Sequence, residues 1–89
     1  MLERELTVSN RLGLHARATA KLVQALAPFR CTVTLAAKGR EVNAKSIMGV
    51  MLLAAGQGTP VTVRTDGEDE AAAMEAVVSL FERRFDEDA

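Results

Sequence analysis

The sequence predicts an α+β domain of two layers, with the element order βαββαβα. Three observations carry that expectation. Apolar residues switch along the chain between a period of two and a period near 3.6, which marks four strands and three helices. Each element has one apolar face, so a sheet covered by helices on one side buries every stripe together. No internal linker or repeat interrupts residues 1–89, a length suited to a single domain with one core.

In the first strand Leu2, Leu6 and Val8 share a face while Glu3, Glu5 and Thr7 take the other. Asn10 to Gly13 is turn-prone and breaks the alternation. From Ala16 the residues Ala18, Leu22, Ala25, Leu26 and Phe29 recur at helical steps, and Pro28 marks the end of that helix. Cys31, Val33 and Leu35 alternate with Thr32, Thr34 and Ala36 as the second strand, with Cys31 read as a small core residue. Lys38-Gly39 turns the chain into a short third strand around Glu41 to Asn43. Ser46 opens the second helix, with Ile47, Val50, Met51 and Ala54 at helical spacing, and Gly56 to Pro60 ends it. Val61, Val63 and Thr65 form the fourth strand, followed by an Asp66-Gly67 turn. Glu68, Asp69 and Glu70 fall where the last helix's dipole favours negative charge. Met74, Val77, Val78, Phe81 and Phe85 stripe that helix, and Phe85 to Ala89 is expected to fray as an acidic tail.

Composition removes several classes of function. A net charge of -1 supplies no positive field to attract nucleic acid or an anionic membrane. No apolar run approaches the roughly 20 residues that span a bilayer. The N-terminus lacks the layout of a secretory signal, and the single Cys31 rules out an internal disulfide, so a soluble cytoplasmic protein is expected. One histidine and one distant cysteine make no metal site, and no Gly-rich nucleotide loop or catalytic carboxylate pair is present; no cofactor is expected.

The histidine carries the chemistry. His15 falls at the cap or first turn of the helix that starts near Ala16, where backbone N–H groups lack intrahelical acceptors and favour an anion. Arg17 adds a guanidinium able to make paired hydrogen bonds to phosphate oxygens. An imidazole, the amides of Ala16 and Arg17 and that guanidinium together suit a phosphoryl group carried on His15. The helix end and Arg17 both disfavour imidazolium, which leaves the neutral, nucleophilic ring available.

Gly13-Leu14-His15-Ala16-Arg17 resembles the active-site motif of the HPr family, histidine phosphocarriers of the bacterial phosphoenolpyruvate-dependent phosphotransferase system. The likeness continues through Lys21-Leu22-Val23, Ala44 to Met51 and Gly56 to Gly58, and spans essentially the whole chain. It implies an open-faced β-sandwich, a four-stranded antiparallel sheet with three helices on one face. It also implies the function: phospho-enzyme I gives a phosphoryl group to Nδ1 of His15, Arg17 stabilises it, and an enzyme IIA domain receives it. On that resemblance the chain is a monomeric carrier and substrate of other enzymes, not a catalyst. Where the family commonly has proline, this chain has Ala18, which restores an N–H and leaves the helix start less fixed. That change, and the ending Phe85-Asp86-Glu87-Asp88, also resemble a nitrogen-related branch, so the sugar and nitrogen branches both stay open.

Two further sites are expected. Ser46 is a strong N-cap, and Lys45-Ser46-Ile47-Met48 resembles the seryl site that HPr kinase/phosphorylase modifies. Phosphate there is expected to hinder partners rather than to unfold the helix. In the run Ile47 to Ala55, burial is expected for Val50, Leu53 and Ala54, while Ile47, Met48 and Met51 form an exposed docking patch completed by Ala20 and Gln24. The rival of a different class is an RNA-binding module of similar topology. It would need strand aromatics for base stacking, and the predicted strands contain no phenylalanine.

Overall fold

The alternating segments pair into one sheet in the computed structural model, which describes residues 1–87. Strands β1 (Leu2–Thr7), β2 (Thr32–Ala37), β3 (Arg40–Asn43) and β4 (Pro60–Asp66) are joined by helices α1 (Ala16–Leu26), α2 (Ile47–Leu52) and α3 (Glu70–Glu82). Their order in the sheet is β1-β4-β2-β3, with every neighbouring pair antiparallel. The hairpin between β2 and β3 explains one of these pairings locally. Ala37 faces Arg40, leaving Lys38 and Gly39 as a two-residue turn with φ of 53° and 77°. Positive φ at both positions matches the turn whose twist suits antiparallel strands.

β4 lies between β1 and β2, and its inward residues Val61, Val63 and Thr65 are fully buried. Leu35 lies opposite Val63 and Leu6 opposite Val61, so the register aligns the apolar faces of three strands. Leu22 and Leu26 from α1, Val50 from α2, and Met74, Val77, Leu80 and Phe81 from α3 close over that face. The other face is polar. Arg64 reaches Glu3 at 2.8 Å from one neighbouring strand and Glu41 at 3.4 Å from the other side. Among the described residues, the strands carry no aromatic side chain of the kind on which RNA-binding sheets stack bases.

Three sequence expectations change. Ala54 is exposed rather than buried, because α2 runs only to Leu52 and Ala54 takes a left-handed φ of 49° beyond its end. Its carbonyl instead accepts a hydrogen bond from Lys38 Nζ at 2.7 Å. The acidic run before α3 does not act as a unit. Glu70 lies in the first turn, but Asp69 makes no side-chain cap; its carboxylate accepts the backbone N–H groups of Arg30 and Cys31 at 2.8 and 2.9 Å. It ties the loop after α1 to the start of α3.

The largest change is at the C-terminal end. α3 stops at Glu82, and Phe85 does not extend its stripe. Arg84, Phe85 and Asp86 form a single tight turn with φ of 55°, 54° and 62°. Three consecutive left-handed residues cost roughly 1–2 kcal/mol each. Burial of Phe85, whose ring sits 5.1 Å from that of Phe81, offsets much of that cost. Lys21 Nζ, from α1, fastens the turn by donating to the Phe85 carbonyl at 3.0 Å and to Asp86 at 3.4 Å. Phe85 to Glu87 therefore packs instead of fraying; Asp88 and Ala89 lie outside the described residues.

Candidate functional site

His15 is the N-cap of α1, with extended backbone angles (φ −77°, ψ −179°). Its carbonyl takes the N–H of Thr19 at 2.9 Å, the first turn of the helix. The side chain caps as well: Nδ1 accepts the backbone N–H of Arg17 at 3.3 Å. A ring nitrogen that accepts carries a lone pair, so in the neutral ring the proton is on Nε2. That nitrogen meets the carboxylate of Glu87, Oε2 lying directly against it.

The loop that holds the ring depends on glycine. Gly13 has φ +68°, and a Cβ there would lie 2.5 Å from the Ala55 carbonyl oxygen and 2.7 Å from the Gly56 Cα. The same carbonyl accepts the Leu14 N–H at 2.9 Å. The His15 loop is thereby seated on the segment between α2 and β4. Thr19 Oγ1 adds a bond to the Leu14 carbonyl at 3.1 Å. Fully buried Asn10 donates from Nδ2 to the Gly13 carbonyl at 2.7 Å and to Glu87 Oε1 at 3.0 Å. One amide therefore positions both the loop before the histidine and the carboxylate behind it.

The site opens outward. His15 retains 28% side-chain exposure and Glu87 15%, so the ring is seated but reachable. An open depression of about 640 Å³ lies over it, with Arg11, Arg17 and Lys21 as its cations and Asp86 and Glu87 as its carboxylates. Arg17 is exposed and its guanidinium has no hydrogen-bond or ion-pair partner among the described residues. It is available to an incoming anion. Glu87 is held below the usual carboxylate range, chiefly by the Asn10 hydrogen bond, with His15 and Arg17 adding to it against partial desolvation. The arrangement offers a nucleophilic nitrogen at a helix start, a donor N–H aimed at it, and a free guanidinium beside it.

Ser46 caps α2 as its sequence suggests: Oγ accepts the Gly49 N–H at 3.1 Å. Ile47, Met48 and Met51 are exposed, Met48 by 78%. Gln24 is exposed and Ala20 half-buried on α1. Leu52, 62% exposed, and Leu12 extend the apolar surface beyond the residues expected from sequence. Leu12 also lines the depression at His15. Two site residues escaped the sequence entirely. Asn10 reads as one more turn residue, and Glu87 as part of a solvated acidic tail. The available signal was Phe85, an aromatic residue standing two positions before Glu87 in an otherwise charged stretch.

Comparison with known proteins finds relatives of this chain. A family model described as "PTS HPr component phosphorylation site" matches residues 2–83. The chain is 70% identical over 88 residues to the phosphocarrier protein HPr of Xylella fastidiosa strain Temecula1, covering 99% of each chain. It is 55% identical over 87 residues to that of Cupriavidus necator, covering 98% of each. Among solved structures, HPr from Thermoanaerobacter tengcongensis superposes with a TM-score of 0.96 at 39% identity, over 100% of both chains. With the histidine motif, the four-stranded open sheet and these relatives in agreement, the chain belongs to the HPr family, the phosphocarrier component of the phosphotransferase system.

Proposed function

We propose that this chain receives a phosphoryl group on Nδ1 of His15 from phospho-enzyme I and passes it to an enzyme IIA domain. The observation that carries this reading is the Arg17 N–H directed at Nδ1 from the start of α1. An incoming phosphoryl group reaches that lone pair with its oxygens toward the first-turn amides, and the Arg17 N–H exchanges the ring nitrogen for a phosphate oxygen. The Arg17 guanidinium adds paired bonds from outside. All of these groups are at the surface, which suits a phosphoryl group that must leave again. The chain is then a substrate of phosphotransferases and has no turnover of its own.

The apolar surface of Ile47, Met48, Met51 and Leu52, with Gln24 and Ala20 on α1, is the docking face in this reading. Flexible methionines adapt to more than one partner. The test is incubation with phosphoenolpyruvate and enzyme I, followed by intact mass measurement and acid treatment. One phosphoryl group that is lost in acid and absent from His15→Ala is expected. Phosphorylation that survives in His15→Ala overturns the assignment. Transfer from the phosphorylated chain to sugar-type and nitrogen-type IIA acceptors decides which branch it serves.

A second reading applies to Ser46. Its hydroxyl lies at the N-cap of α2 beside the exposed apolar residues, so phosphate there would place negative charge on the docking face. HPr kinase/phosphorylase is the partner this reading names. Ser46→Asp is expected to slow transfer from enzyme I while keeping the helical signal; unchanged transfer counts against it.

A further inference from the structure

We propose that Glu87, brought back over the site by the turn at Arg84–Asp86, is a positioning residue for phosphoryl transfer: its carboxylate holds the Nε2–H of His15, fixes the tautomer with a free Nδ1 lone pair, and compensates the positive charge the ring acquires. The inference rests on the phosphocarrier reading of His15 and assigns a role to the chain's last described residue.

The geometry supplies each part. Oε2 of Glu87 meets Nε2 of His15, while Oε1 takes the Asn10 amide at 3.0 Å. Both carboxylate oxygens are therefore committed, one to the ring and one to a fully buried anchor. The chain cannot present Glu87 this way without reversing after α3. Buried Phe85 and the two Lys21 contacts hold that reversal in place. The left-handed turn is thus tied to the position of a carboxylate at the phosphoryl acceptor.

The chemistry needs a group of this kind. When Nδ1 attacks, its lone pair forms the new N–P bond as the P–N bond of the donor phosphohistidine breaks, and that electron pair returns to the donor ring, which passes from cationic phosphoimidazolium to neutral imidazole. No proton moves. Nε2 keeps its hydrogen, so the His15 ring gains one positive charge while bound to phosphorus. A carboxylate on Nε2 stabilises this charge and orients the ring, as the carboxylate of a serine-protease triad does for its histidine. On onward transfer the N–P bond breaks and the ring returns to neutral. Glu87 meets the ring at Nε2, and the Arg17 amide meets it at Nδ1.

The test compares Glu87→Gln with Glu87→Ala. Glutamine has a single oxygen for two donors. With that oxygen on Asn10, its NH2 faces Nε2 and drives the ring proton to Nδ1, blocking the nucleophile. With the oxygen on the ring, its NH2 faces the Asn10 amide. Glu87→Gln is therefore expected to slow transfer from phospho-enzyme I by roughly tenfold to a hundredfold, in kcat more than in KM, and by more than Glu87→Ala. The 15N spectrum of the ring in the unphosphorylated chain should gain the Nδ1–H tautomer in Glu87→Gln. Either an unchanged rate, or slowing with the wild-type ring spectrum, overturns the proposal. Because the spectrum is read before any phosphorylation, it stands apart from the carrier reading, which fails only if the wild-type chain takes no phosphoryl group on His15.

Discussion

Two helices in this molecule begin the same way and stand in different surroundings. α1 is capped by His15 and α2 by Ser46, and each cap accepts a backbone N–H from the first turn through its side chain. At α1 the acceptor is a ring nitrogen, backed by Glu87 and faced by Arg11, Arg17 and Lys21. At α2 the acceptor is a hydroxyl, and the residues that follow it are Ile47, Met48 and Met51, all exposed. The shared backbone geometry makes both positions welcoming to negative charge. The surroundings differ, and on the proposed reading they decide what that charge does: beside cations and a nucleophile it would be received and released, and beside an exposed apolar surface it would obstruct a partner. Capping is therefore the common device, and the neighbours assign the role.

The largest effect expected on this comparison comes from removing the first cap's chemistry. His15→Ala should abolish acid-labile phosphorylation while leaving the circular dichroism spectrum intact, since the ring is not in the core. Next is Phe85→Ala, which should cost about 3–5 kcal/mol of unfolding free energy in a denaturant titration and free the end of the chain from His15. A loss under 1 kcal/mol would mean that the terminal turn is not a packed part of the fold. Arg17→Ala should then slow transfer by about a hundredfold with unchanged stability, because it removes an anion partner and little buried surface. At the second cap, Ser46→Ala should lower stability by about 1 kcal/mol and leave transfer from enzyme I nearly untouched. If it instead stops transfer, the two caps do not divide their roles as described.

The smallest effect concerns Asp69. The backbone N–H of Arg30, then that of Cys31, holds its carboxyl below the ordinary range. A depressed folded-state pKa contributes stability that is present above the unfolded value near 3.9 and is lost as the pH falls through the folded value. Melting curves of Asp69→Asn against wild type should therefore differ at neutral pH and converge in acid below pH ~4. A difference that persists unchanged through that range would remove Asp69 from the account.

Much of this was legible in the residues. The two periods marked every element, Lys38-Gly39 gave away the hairpin, and His15 with Arg17 stood out at a helix start. Ser46 was readable as a cap because capping is local, spanning three residues to Gly49. What stayed hidden was set by contacts far apart in sequence. Glu87 meets His15 across 72 positions, and Asp69 meets Cys31 across 38. Acidic residues in a charged tail look solvated until the packing of an aromatic residue, here Phe85, fixes where the chain turns. Ala54 departs from its sequence pattern for a related reason: helical spacing continues in the sequence after the helix has ended in space.

The decisive property is which ring nitrogen bears the phosphoryl group. Combined 31P and 15N NMR of the chain after phosphorylation by enzyme I measures it directly. Phosphorus bonded to Nδ1, with hydrogen retained on Nε2, is the result expected. Phosphorus on Nε2 would contradict it, because Glu87 holds that nitrogen and the Arg17 amide points at the other.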